Sequence, residues 1–178
     1  MDLNELITVD TEILPNYLLI MFRRIADGKV IFFEKFEDSE LNVQNIFKIL
    51  NKYKIVSFNG NHFDSLILEA STAGFSNESI KRVADTLIVE KTQPWQLRKQ
   101  LGLAALKYDH IDLIEVAPLQ AGLKLYAGRM HVKRMMDMPL DPDTVIEESQ
   151  IPSMRFYCEI DNENTGELAR NLLTELLS

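Results

Sequence analysis

The chain has 178 residues, 46% of them hydrophobic and 26% charged, with a formal net charge of −8, which is ordinary for one globular core and short for two. Its single cysteine excludes an internal disulfide, no Cys/His cluster offers zinc soft ligands, and its apolar runs are too short to cross a bilayer. With no basic-then-apolar leader pattern at its start, one cytoplasmic domain spanning residues 1–178, away from membranes, is expected.

Residues 6–10 read as a strand. Residues 17–22 and 30–33 read as a hairpin turning at Asp27-Gly28, a dipeptide suited to a tight reversal. Residues 40–51 place Leu41, Ile46, Phe47 and Leu50 on one helical face, and 54–58 return as a fourth strand. An Asn-Gly-Asn turn then leads to Asp64, beside the edge of the sheet, and to an apolar helix with Leu66, Ile67 and Leu68. Helices are predicted over 77–90 and 94–101, the latter with Pro94 in its first turn and Trp95 as its anchor. A fifth strand over 110–114 precedes the segment 123–138; Pro139 and Pro142 then mark a loop. Residues 153–177 have the propensity of one long helix, weakened at Gly166, with Phe156, Ile160 and Leu168 on its apolar side. The order predicts an α/β fold with a mixed five-stranded sheet flanked by helices.

Charge is unevenly spread. Residues 81–134 hold ten Lys or Arg against five Asp or Glu, a local +5 that leaves −13 for the remainder. Such an excess suits a phosphate-facing strip, although Lys81, Arg82, Arg98 and Lys99 would serve equally well as solvated helix surface.

Three short motifs carry acidic groups. Residues two apart in a strand point to one face, so Asp10 and Glu12 in Ile-Thr-Val-Asp-Thr-Glu present two carboxylates together. Asp64 closes Asn59-Gly-Asn-His-Phe-Asp. Tyr157 and Asp161 stand at i and i+4 on the last helix, one turn apart on one face. Each motif alone has a plain structural alternative: a strand-end acidic pair, an Asn turn satisfying its own backbone, a core tyrosine beside an exposed acid. Together they form the oxygen-rich set that hard divalent cations require around a phosphodiester. Phe63 serves either the core or a stacked base. His110 and His131 read as packed or solvated rather than as ligands, and Asp112 as a strand-end or supporting residue.

Taken together, the motifs resemble the DnaQ-like superfamily of 3′-to-5′ exonucleases, within the ribonuclease-H-like fold, and in particular its DEDDy branch. The likeness runs from residue 6 to about 170, with Phe156 where the sister branch has histidine and Tyr157 four residues before the last Asp. Tyr157-Cys-Glu-Ile-Asp161-Asn-Glu-Asn-Thr165 is similar to the proofreading domains of phage-type DNA polymerases. The resemblance implies that Asp10, Glu12, Asp64 and Asp161 ligate two Mg²⁺ or Mn²⁺ ions about 4 Å apart, with Tyr157 orienting the attacking water. It also implies a single-stranded or frayed DNA 3′ end as substrate, nucleoside 5′-monophosphates as products, and a polymerase domain or subunit as partner. Thr11, Asn59, Phe63, Lys124 and Arg129 are the expected substrate contacts, with Lys133 and Arg134 as further phosphate holders. An RNA-directed exonuclease of this fold, hydrolysis of a small nucleotide, and a catalytically silent binding or scaffold domain are the competing readings.

Overall fold

The computed structural model describes residues 2–116 and 138–177. Its five strands form one sheet in the order β3-β2-β1-β4-β5. The first three, β1 (Leu6–Leu14), β2 (Tyr17–Arg24) and β3 (Val30–Phe36), run antiparallel. β4 (Lys54–Ser57) and β5 (His110–Asp112) are parallel to β1 and to each other. This mixed sheet with flanking helices is the α/β architecture expected, and is compatible with a ribonuclease-H-like fold. The β2–β3 reversal closes where Gly28, at φ +76°, donates its N–H to the Arg24 carbonyl at 2.8 Å. That left-handed backbone explains the glycine.

The pleat of β1 decides what each face meets. Ile7, Val9 and Ile13 join a core with α1 (Val43–Lys52), α2 (Asp64–Thr72), α3 (Asn77–Ile88) and α4 (Pro94–Leu101). Leu6 and Leu14, of the opposite parity, fall in two further clusters whose other walls come from the long closing helix α6 (Ile151–Leu177). A short helix, α5 (Leu113–Val116), follows β5 directly, so the fifth strand is two residues shorter than predicted. Asp10 and Glu12 share the parity of Leu6 and Leu14, which turns them toward α6.

Several packing expectations change. On α1, Ile46, Ile49 and Leu50 are buried while Phe47 is 38% exposed: at one residue from Ile46 it lies about 100° around the helix, off the core-facing stripe. Trp95 is 63% exposed and does not anchor α4; Leu97 is the residue of that helix in the core. Phe156 is also exposed, since Met154, Tyr157 and Cys158 occupy the buried face of α6. Gly166 does not interrupt that helix.

Polar contacts fix α6 against the sheet. Arg155 Nε donates to Glu34 Oε2 at 3.0 Å, and the Tyr17 hydroxyl donates to the same oxygen at 2.5 Å. The Arg155 guanidinium also lies 4.9 Å from the Phe32 ring centroid. Within the other layer, Arg98 Nε bridges both oxygens of the buried Glu69, joining α4 to α2. Among the described residues no helix is long and apolar enough to cross a membrane.

Candidate metal centre

Among the described residues, Asp10, Glu12 and Cys158 form a compact group: one ligand atom from each lies within 4.8 Å of the others. The two carboxylates come from alternate positions of β1, and the thiol comes from the buried face of α6. Asp10 Oδ1 accepts the Thr11 backbone N–H at 3.0 Å, while the Cys158 thiol makes a long contact of 4.0 Å to Oδ2. Asp64 and Asp161 stand outside this group, although both are near enough for their charge to act on Asp10.

Asp64 begins α2, immediately after the Asn59–Phe63 turn, and its carboxylate is buried. Its partner is on the central strand rather than at the sheet edge: the Thr11 hydroxyl donates to Asp64 Oδ1 at 2.6 Å. The hydroxyl expected to face substrate is therefore committed to a metal-ligand candidate. Tyr157 is buried to 7% exposure and hydrogen-bonds Asp161 one turn further along α6.

The electrostatics are those of crowded acids. Burial is the main cause that raises Asp10 well above the usual carboxylate range, and the negative charges of Glu12, Asp64 and Asp161 add to it. Burial also pushes Asp64 up to about 7, against the lowering effect of the Thr11 hydroxyl, with Asp112 adding repulsion. Tyr157 is pushed up first by burial and then by Asp161, Glu12 and Asp10, so it remains a neutral phenol. Burial and the same carboxylates raise Cys158 as well, which keeps it a thiol.

Oxygen donors that repel one another could hold a hard divalent cation, whose charge would offset the repulsion. A thiol is a soft donor that hard cations disfavour, so Cys158 reads as an apolar wall beside Asp10.

The turn carrying the second motif is held from below. Asn59 has φ +64°, and its N–H donates to Asp112 Oδ1 at 2.6 Å; the Asn61 N–H donates to Oδ2 at 3.0 Å. The Asn59 side chain makes no capping hydrogen bond to the turn that follows. Asn61 Nδ2 donates to Glu115 Oε1 at 2.8 Å, and Phe63 packs partly against the main core. Asp112 is thus a clamp on the loop that presents Asp64. Its place at the end of β5, level with Ser57, is the sequence signal for that role. His110 Nε2 lies 2.6 Å from Ser57 Oγ, a packed histidine as expected.

Three basic residues of the strip are paired where it is described. Lys81 pairs with Asp85 and Asp143, Arg82 with Glu78, and Arg98 with Glu69. Lys124, Arg129, His131, Lys133 and Arg134 lie outside the described residues. Sequence reading also passed over Cys158 as a neighbour of Asp10; its position three residues before Asp161 on one helix was the available signal. Compared with known proteins, the chain matches no family model, no curated protein and no solved structure.

Proposed function

We propose that the chain is a metal-dependent 3′-to-5′ exonuclease acting on single-stranded or frayed DNA ends, of the DnaQ-like DEDDy kind. One observation carries this reading: Asp10 and Glu12 of β1 lie within ligand distance of one another, and the negative charges of Asp64 and Asp161, from two further elements, also act on Asp10. Such mutual repulsion costs stability, and a divalent cation is the ligand that turns it into binding energy. Asp10, Glu12, Asp64 and Asp161 would hold two Mg²⁺ or Mn²⁺ ions. When bound, these supply a deprotonated water at neutral pH and stabilise charge on the attacking and leaving oxygens.

The chain's own groups do the rest. Thr11 fixes the orientation of Asp64, leaving Asp64 Oδ2 for a ligand. Tyr157, neutral throughout the physiological range, acts as a hydrogen-bonding guide for water rather than as a base. Its bond to Asp161 sets the phenol's direction. Asp112 holds the Asn59–Asn61 turn and so the approach of α2.

Product analysis tests the reading. Matched DNA and RNA oligomers incubated with Mn²⁺ should yield nucleoside 5′-monophosphates, faster from DNA. Internal fragments or 3′-monophosphates would contradict it, and a faster RNA reaction would transfer the assignment to an RNA-directed exonuclease of the same fold.

A further inference from the structure

A second site is suggested by the distribution of positive charge, on the sheet face opposite the carboxylates. A cavity of about 220 Å³ opens between α1 and the β2–β3 reversal, with Ile7, Ile31 and Ile49 in its apolar lining. Arg24, Lys29, Lys48 and Lys52 also line it, together with Tyr53, and no lining residue is acidic. Lys48 and Lys52 are one helical turn apart on α1, while Lys29 comes from the reversal, so three exposed lysines from two elements border the cavity.

Arg24 is already neutralised, since Asp27 receives its Nε at 2.9 Å and pairs with the rest of the guanidinium. Among the described residues no carboxylate pairs with Lys29, Lys48 or Lys52. The Lys52 ammonium lies 5.3 Å from the Tyr53 ring centroid. In a chain of net charge −8, a concave pocket with three uncompensated cations is an anion site by its chemistry.

The charge also selects the anion. A peptide carboxylate or an internal phosphodiester brings one negative charge, whereas a phosphate monoester brings nearly two at neutral pH and three acceptor oxygens. Apolar surface from the part-exposed Ile31 and Tyr53 suits the sugar or base of a nucleotide rather than bare phosphate. We propose that this cavity binds a nucleotide through its terminal phosphate monoester, supplied either by a free mononucleotide or by the 5′-phosphorylated end of a strand. The site stands apart from the carboxylate group and does not depend on the nuclease reading.

Calorimetric titration in EDTA at low salt tests it, with adenosine 5′-monophosphate and with 5′-phosphorylated and 5′-hydroxyl oligothymidine as probes. Saturable binding of a monoester is expected, weakened about tenfold for each lysine removed in Lys48→Gln/Lys52→Gln, as befits one charge-assisted contact apiece. The melting temperature and Mn²⁺ affinity of the variant should match the wild type, and Lys29→Gln gives a second, separate variant on another element. Tighter binding of the mononucleotide identifies a free nucleotide as the ligand; tighter binding of the phosphorylated oligomer identifies a strand end. No saturable binding of either monoester overturns the proposal. So does equal affinity in wild type and variants, or a 5′-hydroxyl oligomer that binds as tightly as its phosphorylated counterpart.

Discussion

The Thr11 hydroxyl donates to Asp64 Oδ1 across 2.6 Å, tying the central strand to the first residue of α2 and linking two acidic motifs 53 residues apart. Thr11 sits between Asp10 and Glu12, so one residue orients the second motif while its neighbours supply the first. Thr11→Val removes the donor and leaves a buried carboxylate short of a partner, at a cost of about 1–3 kcal/mol. Because the hydroxyl lowers Asp64, the variant should titrate above about 7, read by NMR of the Asp64 side chain, and Mn²⁺ affinity should fall.

The pH dependence of the metal-free protein follows from the same group. Asp64 is raised to about 7 in the fold from an ordinary 3.8, so the folded state holds a proton the unfolded state has released. Its contribution is fully present below about 3.8 and is lost as pH rises through about 7. Burial of Asp10 acts in the same direction. Thermal melts of metal-free protein should therefore fall between pH 5 and pH 8, less steeply in Asp64→Asn, and Mn²⁺ should restore more stability at pH 8 than at pH 5.

Gly60 is a steric requirement of the second motif. A Cβ there would lie 2.2 Å from Ser57 Oγ and 2.6 Å from Ser57 Cβ, both closer than atoms pack. Gly60→Ala should displace the turn that Asp112 clamps, destabilise by about 1–3 kcal/mol, and lower exonuclease rate more than stability alone explains. Adding Ser57→Gly should recover part of both losses in paired melting and rate measurements.

Gly166 is the contrasting case. It lies within α6, where a Cβ would meet Arg23, Ile25 and Thr8 only at 3.4–3.9 Å, ordinary contact distances. Alanine is therefore accommodated, and the helix gains about 0.5–1 kcal/mol in a denaturation titration with activity unchanged.

The legibility of this chain in sequence varied with the kind of signal. The hairpin, β4, α4 and α6 were readable because periodicity and turn residues are local. The shared face of Asp10 and Glu12 followed from the pleat alone. The burial of Phe47, Trp95 and Phe156 was misread because composition does not fix which side of a helix meets the sheet. The Thr11–Asp64 bond was not readable, since it joins residues 53 positions apart through the order of strands; Asp112 was legible only as a strand-end or supporting residue, and Cys158 only by its place three residues before Asp161. The pairs Lys81–Asp85 and Arg82–Glu78 are i,i+4 neighbours on α3 and were available in the sequence, whereas Arg98–Glu69 and Lys81–Asp143 depend on how separate segments pack.

Four carboxylates and Tyr157 are proposed to perform metal-dependent cleavage from a 3′ end. The most direct measurement of that cleavage is the product ladder from a 5′-labelled single-stranded DNA oligomer incubated with Mg²⁺, Mn²⁺ or EDTA, using wild type and Asp10→Asn. Stepwise shortening from the 3′ end that needs the metal and is at least about a hundredfold slower in Asp10→Asn is the expected result for a residue of the metal-binding set. A full-length oligomer after incubation of folded wild type with either metal would contradict it and leave a silent binding domain as the better description.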